Sequence, residues 1–106
     1  MFKVEIVDEA EQDILDIYHY IAHHDSAEKA EYVLTEIETR CFSLSELPTR
    51  GHVPPELEYI GVKEYLEIHF KPYRVIYQIT GKTITILCVV DGRRDMRSFL
   101  ERRLIR

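Results

Sequence analysis

Three short runs of alternating apolar and polar residues follow one another between Tyr65 and Val90, with only tight turns between them. A chain built this way has few options: period-two alternation makes half-buried strands, and short turns force consecutive strands to pair antiparallel. Leu66, Ile68 and Phe70 share one face of the first run, opposite Tyr65, Glu67 and His69. In the second, Tyr73, Val75, Tyr77 and Ile79 share a face, opposite Arg74, Ile76 and Gln78. Pairing Phe70 with Tyr73 and Ile68 with Val75 superposes the apolar sets, although Pro72 in so short a turn argues for a longer loop. Gly81-Lys82 suits a two-residue turn with glycine first, pairing Ile79 with Ile84, Tyr77 with Ile86 and Val75 with Cys88. The meander's core face then carries Leu66, Ile68, Phe70, Val75, Tyr77, Ile79, Ile84, Ile86 and Cys88. Its other face carries Tyr65, Glu67, His69, Arg74, Ile76, Gln78, Thr85, Leu87 and Val89, with Arg74 opposite Val89. Ile76, Leu87 and Val89 side by side are too apolar for a solvated sheet face, so the C-terminal segment or a partner must cover them.

The first half supplies a lid for the core face. Met1 to Val7 alternates as a strand. Asp8, three residues before Glu11, reads as a helix cap, and Ala10, Ile14, Ile17, Tyr18 and Ile21 follow at helical spacing toward an end near His23-His24. Asp25 and Glu28 repeat the signal ahead of a stripe of Ala27, Ala30, Val33, Leu34, Ile37, Cys41 and Leu44. A connection of about two residues makes these helices an antiparallel hairpin. Pro48 and Gly51 break the pattern, and 48–55 is read as a loop. After the third meander run, Gly92-Arg93-Arg94-Asp95 leads into a short arginine-rich helix for which Asp95 is the N-cap. The fold class is α+β: an N-terminal strand, an antiparallel helical hairpin packed on a mostly antiparallel four-stranded sheet, and a short C-terminal helix, in a single domain over 1–106.

Charge divides the chain. Residues 1–53 hold four basic against twelve acidic side chains, residues 54–106 ten against seven, within a net charge of −5. An acidic chain that gathers its cations at one end has faces of opposite potential and is ill-suited to wrapping nucleic acid over a broad surface. No apolar run approaches the roughly 18 residues of a membrane span, and no export signal opens the chain, so a cytoplasmic protein is expected. Cys41 and Cys88 sit in apolar company and read as free core thiols.

The chemistry-bearing residues are few. Tyr65, Glu67, His69 and Arg74 fall on one sheet face, where Glu67 as base, His69 as acid and Arg74 as phosphate clamp form a conceivable nuclease set; a cross-strand polar cluster is the simpler account. His19 and His23 lie four apart on the first helix without a third ligand nearby, and no metal or cofactor is expected. Phosphate-binding glycine loops, nucleophile elbows and CxxC motifs are absent.

The order of these pieces resembles the ParE/RelE superfamily of type II toxin–antitoxin toxins, and lies closer to ParE. The resemblance is carried by the Phe2–Ile6 strand, Ala10 through Ile21, the Leu47-Pro48 to Gly51 break, Tyr73-Arg74-Val75-Ile76-Tyr77 and Gly92-Arg93-Arg94-Asp95. RelE-like members cut messenger RNA on the ribosome without a metal; ParE-like members share the fold and typically poison DNA gyrase. Arg74 and Arg94 match positions at which RelE-like nucleases hold phosphate. The lysines such enzymes carry on the preceding strand are missing from Tyr65-Leu66-Glu67-Ile68-His69, and Phe99-Leu100 stands where they place a terminal tyrosine. Arginine stabilises charge but cannot act as acid or base at neutral pH.

The resemblance therefore implies a gyrase-binding toxin with no catalytic residue, and the gathering of cations in the second half points to Arg74, Arg93, Arg94 and Arg97 as its target-binding set. A cognate antitoxin would neutralise it on the Ile76, Leu87 and Val89 face, in a hetero-oligomer that meets operator DNA only through the antitoxin. The alternative is a ribosome-dependent mRNA endoribonuclease using Glu67, His69, Arg74 and Arg94.

Overall fold

In a computed structural model of the chain, which describes residues 1–105, the N-terminal strand β1 (Lys3–Ile6) leads into two antiparallel helices, α1 (Asp8–His24) and α2 (Ala27–Ser43). A short helix α3 (Pro55–Glu58) precedes β2 (Leu66–Phe70), β3 (Tyr73–Thr80) and β4 (Thr83–Asp91), and α4 (Met96–Leu104) closes the chain. The sheet order is β1-β4-β3-β2, with β1 parallel to β4 and the other pairs antiparallel. The α+β architecture is as the sequence implies; the helical turn at Pro55–Glu58 is additional.

Two caps move by one residue. The first helix starts after Val7, whose side chain cannot cap, so Asp8, Glu9 and Glu11 act in the first turn by opposing the helix dipole. Ser26, not Asp25, caps α2, its Oγ accepting from the Lys29 amide at 3.0 Å. Asp95 caps α4 as expected, accepting from the Ser98 amide.

Both meander turns have two residues. Phe70 pairs directly with Tyr73 around Lys71-Pro72, so the expected longer loop is not found. Gly81 takes φ of +60°, which the Gly-Lys turn requires. From Ile79–Ile84 to Tyr77–Ile86 the β3–β4 register is the expected one. A β-bulge then intervenes: Ile76 pairs with Cys88, Val75 with Val89 and Arg74 with Val90, and Leu87 is the extra residue. The bulge exchanges faces. Val89 joins the main core beneath α1 and α2, with Val75, Tyr77, Ile84 and Ile86; Cys88 moves to the other side. The expected Val75–Cys88 pair and the Arg74–Val89 juxtaposition are thereby corrected. The run Leu87-Cys88-Val89-Val90 is apolar throughout and both faces are covered here, so either register buries apolar side chains and alternation does not fix the register.

The second face is closed by the chain itself. Ile76, Cys88 and Val90 pack with Leu57, Met96, Phe99 and Leu100, so α3 and α4 form a second small core. Of the apolar trio expected to be covered by the C-terminal segment or a partner, Ile76 is covered by α3 and α4, Val89 is instead buried in the main core, and Leu87 is half-buried at the bulge. Burial pushes the thiols of Cys41 and Cys88 up to about 12, which makes them inert packing groups. Among the described residues, no helix is long and apolar enough to cross a membrane.

Candidate functional site

Glu67 is the centre of the polar chemistry on the α3–α4 side. Its side chain is 1% exposed, and a carboxylate so placed must be fully paired. Four nitrogens converge on its two oxygens. Arg74 on the neighbouring strand donates Nε to Oε1 at 2.6 Å and Nη2 to Oε2 at 3.0 Å. His69 Nε2 stands 3.3 Å from Oε1, and His52 Nε2 stands 3.2 Å from Oε2. The pleat explains the first three: Glu67 and His69 are two apart on β2, and Arg74 is directly across from His69.

His52 arrives from the loop after α2. It forms an isolated antiparallel bridge with Glu67, amide to carbonyl at 3.1 Å one way and 2.8 Å the other. The loop is pinned nearby by Tyr77, whose hydroxyl donates to the Pro48 carbonyl at 2.8 Å and accepts from the Gly51 amide at 3.1 Å. A Cβ on Gly51 would meet the Glu67 carbonyl oxygen and the Tyr77 hydroxyl at 2.6 Å, so only glycine permits this approach.

Arg74 is engaged by two carboxylates. Besides Glu67 it holds Glu56 in a fork, Nη1 to Oε2 at 2.9 Å and Nη2 to Oε1 at 2.7 Å. The side chain is 13% exposed and its stem passes over Gly92. The Glu56 bond raises the Arg74 pKa, and Arg74 in turn lowers that of Glu56. Both residues are therefore charged at neutral pH, and neither is spare. Next to them lies a shallow polar depression of about 390 Å³ lined by Arg40, Arg50, His52, Glu67, Ile68 and His69.

The remaining arginines form a separate group on the rim at the start of α4. Arg93 is 76% exposed, its backbone amide and guanidinium both on Asp91, whose carboxyl is lowered by that pairing. Arg94 lies over the Phe99 ring at 4.6 Å, and Arg97 pairs with Glu101 one turn on. Of the four arginines expected to act together, three are thus on an exposed rim and Arg74 is locked in the carboxylate cluster. Of the nuclease set, Glu67, His69 and Arg74 are adjacent, while Arg94 stands apart on Phe99.

His52 and Glu56 complete the cluster without a local sequence signal. Their placement depends on where the loop after α2 docks, and only the Tyr77 hydroxyl and Gly51 hint at that docking.

An apolar groove lies on the opposite side of the molecule, between the helical hairpin and the outer edge of β1. Val4, Ile6, Ile14, Leu15, Leu34 and Phe42 line it, with Glu11 and Glu38 among them. Leu15 and Phe42 remain 43% and 52% exposed.

The fold is shared with chains of two solved toxin–antitoxin systems. It matches a chain of the chromosomal ParDE system from P. aeruginosa with a TM-score of 0.72 at 20% identity, covering 86% of this chain and 96% of that one. It matches a chain of the RelBE2 complex from Mycobacterium tuberculosis with a TM-score of 0.63 at 19% identity, covering 85% and 96% respectively. No curated protein sequence matches the chain significantly. The family model for the ParE toxin of type II toxin–antitoxin systems matches residues 4–96, and by that match the chain belongs to the ParE toxin family.

Proposed function

We propose that this toxin arrests growth by binding DNA gyrase stoichiometrically through the arginine rim at Arg93, Arg94 and Arg97, and that a cognate antitoxin neutralises it. The observation that carries the reading is the engagement of Arg74 by two carboxylates. A phosphate clamp needs an arginine free to meet an incoming anion, and this one already holds two carboxylates. Displacing either would leave a carboxylate unpaired beside it, and Glu67 has no exposure to water. Arg74 accordingly takes a structural part and leaves the target-binding set.

The antitoxin surface moves too. With Ile76 and Val89 inside the protein, the open apolar groove along β1, α1 and α2 is the better seat. Its Glu11 and Glu38 favour an antitoxin segment with apolar anchors and basic flanks, laid in the groove as a helix or added to the β1 edge. The assembly is then a toxin–antitoxin hetero-oligomer that reaches operator DNA through the antitoxin.

The second reading, ribosome-dependent message cleavage, draws on the adjacency of Glu67, His69 and Arg74. One experiment separates the two. Purified toxin is added to gyrase supercoiling reactions and to translating ribosomes. The proposal expects loss of supercoiling or trapped cleaved DNA, with messages intact. Message cleavage that disappears in His69→Gln, with gyrase unaffected, would overturn it. For the antitoxin seat, Leu15→Asp is expected to weaken antitoxin binding at least tenfold by calorimetry while leaving gyrase inhibition in place; unchanged affinity refutes the groove.

A further inference from the structure

We propose that His52, Glu67 and His69 form a binding site for a divalent transition metal, zinc being the best fit. The three side chains offer two imidazole nitrogens and a carboxylate oxygen, all within 4.8 Å of one another. Two imidazoles and one carboxylate are the ligand types that suit zinc, whereas magnesium and calcium prefer oxygen alone.

The distances already approach coordination geometry. A tetrahedral site with metal–ligand bonds of about 2.0–2.1 Å has ligand–ligand edges of about 3.3–3.4 Å. His52 Nε2 to Glu67 Oε2 is 3.2 Å and His69 Nε2 to Glu67 Oε1 is 3.3 Å, each to a different carboxylate oxygen, and a set with one atom from each residue lies within 4.8 Å. Bringing both nitrogens to one oxygen, and closing the edge between the imidazoles, takes rotation of two rings whose centroids are 5.2 Å apart and tilted by 51°. Both rings are partly exposed, 56% and 40%, so rotation costs little packing and the fourth position opens to water.

The surroundings hold the ligands in place. Glu67 is buried and gripped by Arg74, as metal-bound carboxylates commonly are by an outer shell of donors. The two backbone hydrogen bonds between His52 and Glu67 keep the loop ligand opposite the strand ligand. A carboxylate accepts about four hydrogen bonds. Arg74 uses two of those places, and the two imidazole Nε2 atoms stand beside the oxygens at 3.2 and 3.3 Å. A metal takes the remaining places: each neutral ring turns its Nε2 lone pair to the metal and keeps its proton on Nδ1. No oxidant or proton donor is involved.

Nearby cations do not forbid the ion. Arg74 is balanced by Glu56 and Glu67, and Arg40 by Glu36 at 2.6 Å. Arg50, which also borders the depression, is exposed and can turn to solvent. A bound metal would staple the loop after α2 to the edge strand β2. This inference does not depend on the toxin's target.

The test uses the full chain stripped of metal by a chelator. Calorimetric titration with zinc chloride is expected to give one site per chain, and His52→Asn and His69→Asn are each expected to weaken it by roughly tenfold to a hundredfold or more. Magnesium chloride is expected not to compete. The exposed pair His19 and His23 is the internal control, and His19→Asn with His23→Asn is expected to leave binding unchanged. Imidazole nitrogen NMR on the unmutated chain gives a second readout, in which zinc shifts the Nε2 signals of His52 and His69 and spares those of α1. The inference is overturned by absence of stoichiometric binding at micromolar zinc, by binding that survives loss of both His52 and His69, or by zinc-induced shifts confined to the α1 histidines.

Discussion

Asp13 holds the arginine-bearing C-terminal helix to the rest of the molecule, and its removal should loosen that helix measurably. The strand β1 pairs with β4 only as far as Ile86, so further along the edge the Val89 amide turns to α1, where Asp13 Oδ2 accepts it at 3.0 Å. The same oxygen takes Arg103 Nη2 of α4 at 2.6 Å. Arg103 also reaches the Glu9 carbonyl at 3.1 Å, but its buried Nε has no hydrogen-bond partner, the Glu9 carboxylate standing 3.6 Å away. Asp13→Ala leaves a half-buried amide unpaired, about 1–3 kcal/mol, and removes a bond to a charged donor, about 1.5–3 kcal/mol. The Glu9 contacts recover part of this, so a net loss of about 2–4 kcal/mol is expected. For a domain near 100 residues that is a fall in melting temperature of roughly 10–20 °C. Asp13→Asn should behave differently. Burial raises the Asp13 carboxyl above its ordinary value, ahead of the lowering by its hydrogen bonds. A group whose folded pKa is raised stabilises fully below its unfolded pKa, and that contribution is lost as pH rises through the folded value. At pH 7 the ionised aspartate is the costly form. The neutral amide still accepts from Val89 and Arg103, and Glu9 remains near Arg103, so Asp13→Asn should cost less than Asp13→Ala there. Wild type should gain relative to the asparagine variant as pH falls through the carboxylate range. Thermal melts and hydrogen exchange of the α4 amides read both effects. If Asp13→Ala melts within about 2 °C of wild type, the clamp has no energetic part and the argument fails.

Two further outcomes follow from single contacts. Tyr77→Phe removes the hydroxyl that joins the Pro48 carbonyl to the Gly51 amide, and should cost about 1–3 kcal/mol by urea unfolding while raising protease cutting near Gly51. Arg94→Ala should abolish most toxicity yet leave the melting temperature within a few degrees, because the side chain lies on the surface over Phe99; a toxic variant or an unfolded one refutes its role at the rim.

The fold was legible where local pattern and global packing agree. The stripes Ala30–Val33–Ile37–Cys41 and Ala10–Ile14–Ile21 are buried as their spacing requires, and the Gly81-Lys82 turn sets the register it predicts. Legibility stops at Leu87. Period-two reading carries the alternation straight through Leu87-Cys88-Val89-Val90, and one bulge inverts every residue beyond it. Four apolar residues in succession were the available warning, since a strand that buries both faces beyond a certain point needs no alternation. The site was half legible for a related reason. Glu67, His69 and Arg74 come from adjacent strands whose register is right, so their meeting could be derived. Glu56 and His52 reach them from a loop and a four-residue helix, and loop docking leaves no periodic trace.

Arg74 and Glu67 then pose the choice between structure and chemistry in a testable form. Removing one partner of a buried ion pair typically costs about 3–5 kcal/mol, because the other charge stays behind unpaired. Replacing both by apolar groups of similar size is often neutral or stabilising. Arg74→Met strands Glu67, 1% exposed, with only two imidazoles. Glu67→Leu leaves Arg74 with Glu56 alone, a milder loss because Glu56 keeps both of its bonds. Together the two substitutions should lie nearer to wild type in urea unfolding than Arg74→Met does alone. If the cluster is structural, the folded double variant still inhibits gyrase, since the rim of Arg93, Arg94 and Arg97 is untouched. A folded double variant that has lost toxicity would place the function in the cluster and return Arg74 to the site.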